Sequence, residues 1–183
     1  SGLVEYIYFP GDGMQERAYL DAAKRANAVY SWMIVIDIDE FFQPLSNVSL
    51  RSWLRQMSLS ISQIEIGWTI FGSSGYINRP NGLVIDSFVH HAEYNFISDY
   101  KAIVRPSRVI DCFMPHKFVV GGTTINEDGK RLTFYPLVLL GARPAPRKLF
   151  RINHYYSKSL AEFQEKSKRG DASLPNRKPR SME

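Results

Sequence analysis

The sequence predicts an α/β domain, and three observations predict it. A helix pattern stands between two apolar strand patterns in the first part of the chain, the order of a βαβ unit. The second of those strands, Trp32-Met-Ile-Val-Ile-Asp37-Ile-Asp39-Glu40-Phe41, is a continuous apolar run ending in acid. Such a run suits a strand buried on both faces, as in a parallel sheet. Short strand patterns then fill the second half, and a capped helix follows them.

Residues 3–9 (Leu-Val-Glu-Tyr-Ile-Tyr-Phe) read as a strand, stopped by Pro10-Gly11-Asp12-Gly13. Residues 14–29 read as a helix. Ala18, Ala22 and Ala26 recur every four positions there and form a small-residue stripe for close packing on a sheet. Residues 32–38 are the apolar strand. Ser49 is an N-cap, and Leu50, Trp53, Leu54 and Met57 give the helix behind it one apolar face. Over residues 63–70, Ile64, Ile66, Trp68 and Ile70 alternate with Glu65, Gly67 and Thr69, the pattern of a half-buried strand. Gly72-Ser73-Ser74-Gly75 lies in a loop. Residues 84–92 predict a helix with Ile85, Phe88 and Val89 on one side. Strand patterns at 102–105, 117–120 and 132–140 are separated by turn residues. Ser159-Leu-Ala-Glu162 is a capping box, Glu162–Lys166 and Glu165–Arg169 are i,i+4 pairs, and Gly170 is a stop. Residues 1–171 therefore predict one domain. Residues 172–183, rich in Pro, Arg and Lys with few apolar anchors, predict a disordered basic tail.

Composition narrows the function. At 183 residues with 44% apolar content, the chain is long and apolar enough for one sizeable core. The single Cys112 excludes an internal disulfide and a cysteine-based zinc motif. No apolar run approaches the ~18 residues that span a bilayer, so no transmembrane segment is expected and the expected location is the cytoplasm. Charge is unevenly placed. Residues 1–100 hold 6 Lys and Arg against 11 Asp and Glu, a balance of −5, and residues 101–183 hold 17 against 7, a balance of +10. The basic half suits a phosphate-bearing ligand, another polyanion or peripheral contact with an anionic membrane surface. Its cations are not interleaved with a nucleic-acid recognition motif, so nucleic acid is not expected.

The acidic turn carries the clearest chemistry. Alternation along a strand puts Asp37 and Asp39 on one side, where two carboxylates meet the need of Mn²⁺ or Mg²⁺, with phosphate oxygens completing the shell. The plainer reading is a strand end whose acids cap a turn or pair with Arg. His154, between an apolar pair and a capped helix, is placed to add a third metal ligand. Lys101 and Arg105 bracket Ala102-Ile-Val104 on one strand face, suited to a diphosphate or to plain solvation. Ser73 and Ser74 offer hydroxyls to a sugar, in a loop that lacks the Lys-Ser/Thr of a phosphate cradle. Asp86 heads the 84–92 helix pattern, either as a general base or as an acid favoured by the helix dipole.

Taken in order, these blocks resemble a known family. Trp32…Asp37-Ile-Asp39-Glu40-Phe41, Trp68-x-x-Phe71-Gly-Ser-Ser-Gly75, Lys101-Ala-Ile-Val-Arg105-Pro106, His116 and Asn153-His154-Tyr155 with Lys158-Ser159 resemble the successive motifs of bacterial family 2-type glycosyltransferases related to family 92. Gln15 with Ala18-Tyr19 resembles the helix before the metal strand. The likeness covers roughly residues 3–170 and implies a GT-A fold, a Rossmann-like mixed sheet flanked by helices. It implies a nucleotide-sugar donor, a glycan or lipid-linked hydroxyl acceptor and inversion at the sugar. Asp37 and Asp39 would bind donor and Mn²⁺ or Mg²⁺, His154 would be a further metal ligand, and Lys101 and Arg105 would face the donor. Trp68, Ser73, Ser74 and His116 would face sugar or acceptor, and Asp86 would be the base. Members open with one further βαβ segment that carries much of the nucleotide pocket, so the implied sheet is incomplete at its N-terminal side. Two other functions fit parts of the pattern: a non-catalytic glycan- or partner-binding domain, and an Asp-x-Asp phosphatase, whose Thr or Val two residues past the second Asp is Phe41 here.

Overall fold

The computed structural model describes residues 4–93, 99–114, 116–132 and 148–169. One strand, β3 (Ile61–Ile70), organises a mixed sheet. On one edge it pairs antiparallel with β4 (Tyr100–Val104), which pairs antiparallel with β1 (Met33–Ile34). On the other edge its first half runs parallel to β7 (Thr123–Asn126) and its second half parallel to β9 (Phe150–His154). Antiparallel strands extend both partners, β8 (Arg131–Leu132) beside β7 and β2 (Glu40–Pro44) beside β9. A hairpin of β5 (Val109–Met114) and β6 (Lys117–Val120) forms a separate two-stranded sheet. The helices are α1 (Gln15–Asn27), α2 (Leu50–Arg55), α3 (Val84–Ser87) and α4 (Leu160–Arg169).

The core lies on both faces of β3. Ile64, Ile66 and Trp68 pack with Trp53 and Leu54 of α2 and with Ile103, Ile125, Phe150 and Ile152. Full burial of each such side chain contributes about 1.5–3 kcal/mol. On the other face, Ala102 and Val104 pack with Cys112 and Phe118 of the hairpin and with Tyr19 and Leu20 of α1. The half-buried strand expected at 63–70 is therefore buried on both sides. Its polar face survives burial because it is partnered. Gln63 accepts the Phe118 N–H at 3.0 Å and donates to Thr124 Oγ1 at 3.3 Å, and Glu65 meets Lys117 Nζ at 3.4 Å.

Two local devices set β7 and β9 against β3. A Cβ at position 122 would overlap Ser62 Oγ, so only glycine lets the chain enter β7 here. Downstream, the buried Glu127 carboxylate accepts the N–H groups of Lys148, Leu149 and Phe150, with Phe150 N at 2.9 Å. It ties the end of β7 to the start of β9.

Several expectations are corrected. Residues 4–9 join no strand ladder, and Val4, Tyr6 and Tyr8 are exposed. The strand expected over 32–38 shortens to β1, which is antiparallel to β4, so the expected βαβ unit does not form. Among the described residues β1 ladders with β4 alone, and the apolar run is half-buried, with Ile38 fully exposed. The helix expected over 84–92 stops at Ser87. Ser74 Oγ accepts the N–H of Val89 (2.9 Å) and of His90 (3.1 Å), and Ala92 N–H donates to Ile70 O, drawing residues 88–92 along the end of β3. Of the strand expected at 132–140, only Leu132 of β8 is described; 133–140 and the 172–183 tail lie outside the described residues. The helices expected near 14–29 and after Ser49 form, and so does the capping box: Ser159 N–H and Oγ reach Glu162 Oε2, and Glu162 N–H reaches Ser159 Oγ.

Candidate active site

The acidic segment closes a tight turn between β1 and β2. Asp37 N–H donates to Glu40 Oε2 at 2.8 Å, and Glu40 N–H donates to Asp37 O at 3.0 Å. A turn rather than a strand carries Asp37 and Asp39, so they do not share a strand face as alternation predicts. Each carboxylate takes its own set of partners. Asp37 Oδ2 accepts from Lys101 Nζ at 2.9 Å, and Asp37 Oδ1 accepts from Tyr19 Oη at 3.1 Å and Gln15 Nε2 at 3.4 Å. Asp39 Oδ2 accepts from Lys166 Nζ at 2.7 Å, while its Oδ1 stands 3.7 Å from His154 Nε2. The repulsion expected of three clustered carboxylates is relieved by two ammonium groups.

Burial sharpens the electrostatics. Lys101 is fully buried, 3.4 Å from Glu40 Oε2 and 5.6 Å from the Trp68 ring centre. Burial pushes Glu40 up to about 7, against the pull of Lys101. Burial pushes His154 down to about 4, against the pull of Asp39, so its imidazole is neutral at pH 7. His116 is lowered by burial and by the Lys101 charge. Burial acts to raise Asp39, but the hydrogen bond and charge of Lys166 win and hold it below the usual carboxylate range. Tyr19 is raised by burial and by Asp37, so its hydroxyl stays protonated and donates.

Four buried polar atoms in this cluster have no hydrogen-bond partner: Glu40 Oε1, Trp68 Nε1, His116 Nδ1 and His154 Nδ1. They gather about one indole, with the Trp68 ring centre 4.3 Å from that of His154 and 4.8 Å from that of His116. Among the described residues no group of three or more His, Cys, Asp and Glu is arranged to hold a metal ion. Two donors could share one with a ligand. Asp39 Oδ1 and the neutral His154 Nε2 are too far apart to hydrogen-bond and close enough to share an ion whose other ligands are phosphate oxygens.

Six residues singled out from sequence meet here: Asp37, Asp39, Trp68, Lys101, His116 and His154. The others lie elsewhere. Arg105 donates to the carbonyls of Ile61, Met57 and Ser58 and stacks 4.1 Å over Trp32, holding the turn into β3. Ser73 and Ser74 hold their own loop and residues 89–90. Asp86 is exposed on α3. Glu40 joins the six as the third carboxylate of the acidic turn, and Lys166 is the member that the sequence hid. Lys166 sits four residues past Glu162 and reads as half of a helix pair, but it crosses to Asp39. Gln15 and Tyr19 carried a usable signal, since i,i+4 spacing puts both on the α1 face that meets Asp37. No protein-family model and no curated protein matches this chain.

Proposed function

We propose that this chain is a metal-dependent, GT-A-type glycosyltransferase domain that moves a sugar from a nucleotide-sugar donor to a glycan or lipid-linked hydroxyl, with inversion. The observation that carries this reading is convergence. Blocks far apart in sequence, at 37–40, 68, 101, 116 and 154, meet in one partly buried cluster at the ends of β3, β4 and β9. Ligand sites of open α/β sheets favour such strand ends. The mixed sheet is compatible with the fold that the resemblance implies.

Lys166, held by Asp39 and partly exposed, offers positive charge to a diphosphate, while the fully buried Lys101 braces Asp37 and Glu40 behind it. Trp68 Nε1–H and the His116 ring offer donors in a water-poor setting. Mn²⁺ or Mg²⁺, when bound by Asp39 and His154, supplies Lewis-acid neutralisation of the leaving diphosphate. The acceptor oxygen bonds to the anomeric carbon as the carbon–oxygen bond to the nucleoside diphosphate breaks. The acceptor proton leaves to a base; Asp86, the base expected from sequence, stands outside the cluster on α3 and is not assigned that role.

The test is titration calorimetry with UDP and GDP, with and without Mn²⁺, on the wild type and on Asp39→Asn. Metal-dependent binding that Asp39→Asn abolishes supports the reading. Binding indifferent to both metal and substitution, or hydrolysis of an aryl phosphate that Asp37→Asn abolishes, refutes it; the second result assigns a phosphatase instead.

A further inference from the structure

A second site lies on the other side of the β2–β9 pair. Register places Phe41 opposite Asn153 and Gln43 opposite Arg151. Their neighbours Glu40 and His154 turn to the carboxylate cluster, so these four turn away from it. With Phe71 and Tyr155 they line a cleft of about 410 Å³, closed on one side by Ile85 and Val89. The volume falls within the usual range for small-molecule sites.

The lining is amphipathic in a specific way. Phe41 meets Tyr155 edge-on at 5.4 Å, and Tyr155 meets Phe71 at 4.7 Å, forming an aromatic wall. Asn153 is 95% buried, and its Nδ2 donates to Gln43 Oε1 at 3.2 Å, yet its Oδ1 has no partner. Arg151 Nε is likewise buried without a partner, and the guanidinium lies 5.7 Å from the Phe71 ring centre. One unpaired group only donates and the other only accepts. A carboxylate or phosphate would satisfy Arg151 and repel Asn153 Oδ1. A hydroxyl both accepts and donates, so neighbouring hydroxyls satisfy both. A ligand with hydroxyls on its edge and a flat C–H face for aromatic rings is a sugar ring.

We propose that this cleft is a saccharide-binding site, separate from the carboxylate cluster. It stands independently of the transferase reading, because it concerns binding alone. The test is NMR on the whole chain with methyl glucoside, methyl galactoside, methyl mannoside, N-acetylglucosamine and maltotriose, and with uridine as the non-sugar probe. At least one sugar is expected to receive saturation from aromatic protons. It should move the amide signals of Phe71, Val89, Arg151 and Asn153, and leave those of Lys101 and Lys166 in place. Phe41→Ala and Arg151→Met should each weaken that binding by about tenfold, the scale of one lost stack or hydrogen bond to a charged group. Phe41 is 40% exposed, so its truncation leaves the core intact and an unchanged melting temperature verifies this. Silence from every sugar, a response to uridine alone, or sugar binding that survives both substitutions overturns the proposal. Sugar-induced shifts centred on Lys101 and Lys166 overturn it too, and they would favour the transferase site instead. Sugar binding in the cleft with no nucleotide binding keeps this site and removes the transferase reading.

Discussion

The two sides of the β2–β9 ladder are built from the same ten residues and carry opposite chemistry. On one side Glu40 and His154 enter a charged cluster, with Phe42, Phe150 and Ile152 in the core behind them. On the other, Phe41, Gln43, Arg151 and Asn153 line an aromatic cleft. A single step along the strand moves a side chain from a crowded ion network to an open wall. The difference lies in what stands opposite. The first side packs against Trp53 and Leu54 of α2 and meets Lys101 of β4, a dry setting that makes every unpaired charge costly. The second faces a cleft lined by Phe71, Tyr155, Ile85 and Val89, so its partnerless polar atoms border open space rather than packed core.

The largest expected effect tests that difference directly. Phe150→Ala, on the packed side and fully buried between Trp53 and Phe42, should cost about 4 kcal/mol in urea unfolding. A loss as small as that of a surface truncation would mean that the core is not organised around this strand. Next is Lys101→Met, which keeps the bulk and removes the buried cation from Asp37 and Glu40. A loss of about 3 kcal/mol is expected, toward the low end for broken buried pairs because Asp37 is one-third exposed. An unchanged midpoint would show that the ammonium group is dispensable to the fold.

Titration gives the third test. Glu40 is raised from 4.5 to about 7, so its contribution to stability is full below 4.5 and fades as pH rises toward 7. His154 is lowered from 6.5 to about 4, so its contribution is full above 6.5 and fades as pH falls toward 4. The two slopes oppose each other and nearly cancel between 4.5 and 6.5. Glu40→Gln should therefore uncover stability that rises with pH in that window, and His154→Gln stability that falls, each by up to about 1.4 kcal/mol per pH unit. Slopes of the same sign in the two variants would break the assignment. The smallest effect belongs to the open side: Phe41→Ala should cost less than about 1 kcal/mol, since its ring is partly exposed. A cost near that of Phe150→Ala would mean that the cleft is core.

Much of this arrangement was legible in the residues. The α2 face at Leu50, Trp53, Leu54 and Met57, the Ser159–Glu162 box and the strand candidates at 102–105 and 117–120 follow from local periodicity and side-chain chemistry, which act over a few residues. Six residues of the charged cluster also stood out, because acids, histidines and a lysine beside apolar strands are conspicuous. What escaped was long-range. No local rule tells Lys166 to leave Glu162 for Asp39, or Ser74 to take the N–H groups of Val89 and His90 and end a helix pattern. The 63–70 alternation looked half-exposed because its polar partners, Phe118, Thr124 and Lys117, come from distant strands.

The divided edge of β3 has a further consequence, in time rather than space. Its ladder with β9 joins Trp68 to Ile152, and its ladder with β7 joins Ile61 to Thr123, each a closure over a long stretch of chain. Loop entropy must be lost before those contacts repay it, so folding of this domain should be slow and its rate set by the moment β3 acquires both partners. The β3 amides should then be among the last to exchange with solvent, since releasing them means dismantling the sheet from its middle.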